Sequence, residues 1–359
     1  MTTSDRFRPA TDAFLALVDD GTERGGAFAV MQNGQVIAEA WGGTESAAGT
    51  PWDHSTRVQV FSAGKPFVAL AALLAVKEGP LTLDDPIRTW WPDYRDDASS
   101  PTTLRMILCH TSGKHAFPAT NQVSLFDSTG LIRLIADSAP ATTPGALLVE
   151  HAATYGHLVD GVLAAVGAPS VAERAVELNT ALGVRLHFGI PPQEQDGIAT
   201  LEAAAPGWEA RYLETEVARA ALLHPPGLLD LSVLASETWR AASFPAVGLI
   251  TDALSLATFY DDVHRDDGVV AALLGDELHR ALLRPSAVGF DEFVRSDVEW
   301  SLGLRVEGGE LGMGGIGGSS AWYSRRFDYA MAYVTRGLID HARADRVADV
   351  VEACLASDD

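Results

Sequence analysis

Strand patterning lies at the two ends of this chain and helical patterning between them, and that distribution restricts the fold more than any other feature. Residues 27–32 and 35–41 are short apolar-rich strands joined by Asn33-Gly34, the pair that a two-residue type I′ hairpin turn prefers. Near the other end, 300–306 and 321–324 are strand-like and 329–335 reads as a buried strand. The glycine-rich run 312–318 reads as a tight turn between the first two of these, and it lacks the G-x-x-x-x-G-K-[ST] pattern of a phosphate loop. Helical spacing marks residues 5–20, 131–136, 155–166, 171–182, 209–223, 250–264 and a terminal amphipathic helix at 340–356, while 185–188 reads as extended. The plan is an α+β fold with one sheet built from both termini and flanked by helices. Residues 1–80 and 243–359 are expected to form the sheet subdomain, including the helix described next. Residues 81–242 are expected to form a mainly helical inserted subdomain.

Residues 58–79, VQVFSAGKPFVALAALLAVKEG, begin as a short apolar run and turn helical near Ser62. Phe67, Leu70, Leu73, Leu74 and Val76 recur at helical spacing. Pro66 fits only the first turn of that helix, and Gly79-Pro80 ends it. Ser62 then sits at the helix mouth with Lys65 one turn away on the same face, as an S-x-x-K pair of nucleophile and base requires. A capping serine with a solvated lysine has the same four letters. The apolar neighbours Val60, Phe61 and Phe67 argue instead that Lys65 is out of water.

A net charge of −22, spread along the chain, argues against nucleic acid or an anionic membrane as partner, since both need a basic face. No apolar run reaches the roughly 18–20 residues needed to span a bilayer. No basic segment followed by an apolar one opens the chain, so a cytoplasmic location is expected. The two cysteines, Cys109 and Cys354, form no C-x-x-C. The histidines show no H-E-x-x-H, and neither a metal nor a cofactor is expected. Nothing in the residues sets the oligomeric state.

With these residues in view, the sequence resembles the serine β-lactamase and penicillin-binding-protein superfamily, and its class C-like carboxylesterase branch most of all. The resemblance covers most of the chain. VFSAGKPFVALAALLAVKEGPLTLDDPIRTWWPDY and TLRMILCHTSGKHAFP are similar to the family's nucleophile helix and following loop. PGALLVEHAATYGHLVDGVLAAVG is similar to its second motif region, and WSLGLRV with LGMGGIGGSSAWYS to its later landmarks. The resemblance implies a β-lactamase/transpeptidase-like fold, a serine that is acylated, and a small-molecule ester or amide as the expected partner. Ser62 would be the nucleophile, Lys65 its partner, and the backbone N–H groups of Ser62 and Ile316 the oxyanion donors. His110 would brace the site. Trp90, Trp91 and Trp208 read as core or pocket wall.

Two positions depart from the family pattern. Glu150 stands where the second motif has tyrosine, and Met313-Gly314-Gly315 stands where the third has K-T-G or H-G-G. Met313 removes a donor for a substrate carboxylate, which disfavours β-lactams and D-Ala-D-Ala peptides. A carboxylate at Glu150 favours the ammonium form of a nearby lysine, or takes the base role itself. Three outcomes are open: an altered active site containing Glu150, substitution by His151 or Tyr155, and loss of hydrolysis. Three functions are likewise open: a serine esterase or amidase, an acyltransferase of specialised metabolism, and a non-hydrolytic descendant that uses the old cleft.

Overall fold

The computed structural model describes residues 4–120 and 122–357. The outermost residues of the two expected sheet segments, 1–3 and 358–359, lie outside the described residues. Asn33 and Gly34 both take the positive φ that a type I′ turn demands, and they join Gly25–Gln32 to Gln35–Gly43. Gly25–Gln32 also pairs antiparallel with Tyr329–Thr335 near the other end of the chain. Edge to edge, the main sheet runs Gln35–Gly43, Gly25–Gln32, Tyr329–Thr335, Ser320–Ser324, Glu310–Gly314, Arg305–Glu307, Ser296–Trp300, Ala287–Asp291. All its neighbours are antiparallel. This is the α+β sheet built from both termini that the patterning predicts.

Alternation decides what covers each face. Phe28, Val30, Met331 and Tyr333 point to one side, where helices Arg8–Asp19 and Ala342–Ala356 pack on them through Phe14, Leu17, Val347 and Val351. Ala27, Ala29, Ala332 and Val334 point to the other and join a core centred on helix Lys65–Glu78. Every residue of that helix from Lys65 to Ala75 is buried, so up to its last turn it runs through the interior with no solvent face. Between residues 81 and 242 the chain is helices and loops, with two-residue strands at His187–Phe188 and Glu202–Ala203. Among the described residues no helix is long and apolar enough to cross a membrane.

Three local expectations are corrected. The run 300–306 is not one strand: the chain reverses between Ser296–Trp300 and Arg305–Glu307, where Gly303 has φ 95 and the Ser301 amide donates to the Leu304 carbonyl. Gly312 and Gly314 are not turn residues but lie in strand Glu310–Gly314, paired with Trp322 and Ser320, and only the residues that follow turn. The segment 209–223 breaks into a short 3-10 helix, Ala210–Tyr212, and a helix, Glu216–Leu222. Thr215 caps the second by accepting from the Ala218 amide, which starts a new helix there.

Candidate active site

Backbone pairing on both sides fixes the approach to Ser62. Val58–Gln59 pairs with Leu249–Thr251, the Val60 amide donates to the Leu249 carbonyl, and the Gln59 side chain donates to the Val247 carbonyl. Phe61 then takes φ 49, a region costly for a bulky residue, and directs the chain into a 3-10 turn, Phe61–Gly64, that continues as helix Lys65–Glu78. Gly64 is required here, because a Cβ would stand 2.7 Å from the Leu249 side chain. Ser62 therefore lies in the first turn, where its amide has no intrahelical acceptor.

Lys65 is fully buried, and its side-chain nitrogen has three neighbours. Nζ lies 2.5 Å from Ser62 Oγ, 3.1 Å from Glu150 Oε1 and 3.3 Å from the Ala152 carbonyl. Burial pushes the lysine down and the Glu150 carboxyl up, against the mutual attraction of the pair. Nearby Asp291 raises Glu150 further. Asp291 is itself buried, and it accepts from the Glu150, Phe293 and Val294 amides and the Trp300 indole. That carboxylate ties the Glu150 segment to the end of the sheet.

The turn after Glu310–Gly314 supplies the opposite wall. A Cβ at Gly315 would stand 2.1 Å from the Val60 carbonyl oxygen, so only glycine lets this strand end close on the segment before Ser62. The Gly315 amide donates to Ser319, and the Gly317 amide to the Tyr212 hydroxyl, which donates in turn to the Ile339 carbonyl. Ile316, between them, keeps its amide free of backbone acceptors among the described residues. Ser62, Glu150, Met313, Gly314, Gly315 and Ile316 all line one cavity of about 340 Å³. Phe293 and Trp300 add to its apolar wall.

His151 and Tyr155 do not line this cavity. Burial pushes His151 down to about 3, and its neutral ring is occupied by the Val149 carbonyl at 2.9 Å and the Ser112 hydroxyl at 2.6 Å. The Tyr155 hydroxyl is buried and donates to the Leu108 carbonyl. His110 accepts from the His151 amide and stacks edge-on to Trp300, which braces the floor of the site. Sequence reasoning missed Asp291, Tyr212, Arg305 and His341, none of which stands in a local motif. Arg211, Arg295 and Arg305 at the cavity margin are each ion-paired, to Asp340, Glu292 and Glu307. Among the described residues no three His, Cys, Asp or Glu side chains cluster in a way that would hold a metal ion.

Known proteins resemble this chain over most of its length. The Beta-lactamase family model matches residues 11–353. The chain is 29% identical over 198 residues to the Esterase/beta-lactamase LipL of Mycobacterium tuberculosis, a match covering 53% of this chain and 44% of that protein. It thus spans less than half the length of that curated relative. A penicillin-binding protein homologue from Caulobacter crescentus superposes with a TM-score of 0.86 at 24% identity, over 99% of both chains. A family VIII carboxylesterase does so with a TM-score of 0.85 at 21% identity, again over 99% of both. At these identities the two solved structures bear on fold.

Proposed function

The chain belongs to the beta-lactamase family, and from that premise we propose that it is a serine hydrolase that opens a small ester or amide through an acyl-Ser62 intermediate. The observation that carries this reading is the continuous contact from Ser62 Oγ to Lys65 Nζ to Glu150 Oε1, buried at the head of an interior helix. The pair Lys65–Glu150 shares one proton between amine and carboxyl. Burial favours the tautomer with a free amine and a protonated carboxyl, because neither group is then charged. In that form the Lys65 lone pair faces the Ser62 hydroxyl.

The chemistry then closes without other groups. Ser62 Oγ attacks the substrate carbonyl while Lys65 takes its proton. The oxyanion faces the amides of Ser62 and Ile316, each such donor contributing about 3–4 kcal/mol in well-studied sites. As the tetrahedral intermediate collapses, the Glu150 carboxyl protonates the leaving alcohol or amine. Glu150, now a carboxylate, takes a proton from the water that attacks the acyl-enzyme, and Lys65 returns its proton to Ser62 Oγ. Product acid leaves, and the pair again holds one proton.

The cavity also bears on the substrate. Met313, Ile316, Phe293 and Trp300 favour an apolar acyl group, and the marginal arginines already have carboxylate partners. An uncharged acyl chain suits this wall better than a carboxylate-bearing one. With a short-chain p-nitrophenyl ester, a burst of nitrophenolate close to one equivalent per chain, followed by slower turnover, is expected. Both phases should vanish in Ser62→Ala; a variant that keeps the wild-type rate would refute the assignment. Adding a primary alcohol as competing acceptor separates hydrolysis from acyl transfer, by the ratio of ester to acid formed.

A further inference from the structure

The turn after strand Glu310–Gly314 carries three successive amides, and each has a different fate. The Gly315 amide donates to the Ser319 carbonyl, the Ile316 amide has no backbone acceptor among the described residues, and the Gly317 amide donates to the Tyr212 hydroxyl at 2.9 Å. Gly317 and Gly318 have φ 91 and 118, so the turn's own backbone does little to fix its peptide planes. A constraint from outside the turn has to do so.

Tyr212 supplies one through a closed ring of hydrogen bonds. The Ile339 amide donates to the Gly317 carbonyl at 3.0 Å, but the reciprocal bond, from the Gly317 amide to the Ile339 carbonyl, is not made. The Tyr212 hydroxyl stands in its place, accepting from Gly317 and donating to the Ile339 carbonyl at 3.2 Å. It is a spacer that holds the Gly317 amide one oxygen away from Ile339. Burial pushes the hydroxyl up from its ordinary value, so it keeps the proton that it gives to Ile339. Its own position is fixed by near neighbours in sequence. Arg211 pairs at 2.9 Å with Asp340, the residue after Ile339, and the Trp208 ring meets the Tyr212 ring edge-on at 6.2 Å. Tyr212 also lines the cavity that holds Ser62 and Ile316.

We propose that Tyr212 is a positioning residue for the oxyanion site. By spacing Gly317 from Ile339 it sets the plane of the peptide between Ile316 and Gly317, and so leaves the Ile316 amide, and not its neighbour, as the donor to the cavity. Without the hydroxyl, the Gly317 amide either lacks an acceptor or closes directly on the Ile339 carbonyl and draws Ile316 with it. Both displace the donor from the place where the oxyanion forms. The role rests on the acyl-Ser62 reading.

Tyr212→Phe tests it, because phenylalanine keeps the ring in the cavity wall and removes only the hydroxyl. With a short-chain p-nitrophenyl ester, kcat/KM is expected to fall about 10²-fold, the scale of a donor misplaced by about 1 Å. Two inhibitors carrying the same acyl chain separate positioning from packing. A trifluoromethyl ketone forms an adduct with Ser62 that bears an oxyanion, whereas the trifluoromethyl carbinol made by reducing it only fills the apolar wall. Ketone affinity should fall in step with kcat/KM, and carbinol affinity should stay within about twofold of wild type. Equal loss of both affinities would reduce Tyr212 to packing and overturn the role, as would a folded variant with unchanged kcat/KM; either leaves Ser62 acylation standing. If the wild type neither turns over the ester nor forms the ketone adduct, the hydrolase reading fails and this role falls with it. Should circular dichroism show Tyr212→Phe unfolded, 3-fluorotyrosine at position 212 keeps the ring and hydroxyl and weakens the oxygen as an acceptor. A loss of about threefold confined to the ketone is then expected, and equal affinities overturn the role.

Discussion

Replacing Lys65 with methionine is expected to slow acylation of Ser62 by at least about 10³-fold, within the range that a general base contributes. The reason is geometric. Nζ is the atom in contact with the serine hydroxyl, and the other titratable group at the site, Glu150, is bonded to Lys65. Methionine keeps the length of the side chain and removes the lone pair, so the surrounding helix has little cause to repack. Glu150, losing the lysine charge that draws its carboxyl down, is pushed further up by burial, toward the neutral form. The burst rate with a p-nitrophenyl ester reads the acylation step directly, and circular dichroism checks that the protein is folded. A folded variant with an unchanged burst would remove Lys65 from the base role.

Glu150→Gln should separate the two half-reactions. Nitrophenolate leaves without needing a proton, so the burst is expected to persist. Deacylation has lost the carboxylate that takes the proton of water and should slow by about 10²-fold or more. An acyl-enzyme would then accumulate and be visible in the intact mass. With an alkyl ester, whose alkoxide needs the Glu150 proton, acylation should slow as well. The pH profile carries the sign of the argument. Below the lower apparent pKa of the pair a second proton binds and Lys65 loses its lone pair; above the upper one the pair loses its only proton, and with it the acid. Wild-type turnover of an alkyl ester is therefore bell-shaped, and the alkaline limb should be absent in Glu150→Gln. Equal deacylation rates in variant and wild type would show that Glu150 only neighbours the site.

The parts of this molecule that were legible in its sequence are those set by short-range rules. Asn33-Gly34 specified its hairpin because few residues tolerate two positive φ angles in a row. Ser62 and Lys65 met because three residues at the start of a helix make one turn. Residues 329–335, apolar and rich in β-formers, became the strand Tyr329–Thr335. The reversal at Gly303 was concealed, since Trp300, Leu302, Leu304 and Val306 continue a strand alternation through it. Glu150 was visible as the residue in the place of the second-motif tyrosine, but its contact with Lys65 bridges separate segments. His151 and Tyr155 were equally plausible from their positions; packing turned one to Val149 and Ser112 and the other to Leu108. Asp291, Tyr212 and His341 come from three other parts of the chain, and no spacing rule relates them to Ser62.

The account turns on whether Ser62 is a nucleophile that accepts a covalent acyl or phosphonyl group. Incubating the protein with an alkyl phosphonate ester, then digesting it and mapping the modified peptide by mass spectrometry, measures this directly. A single adduct on Ser62 is predicted, forming at least about 10³-fold more slowly in Lys65→Met. A folded protein that yields no adduct, or one on another residue, would contradict it.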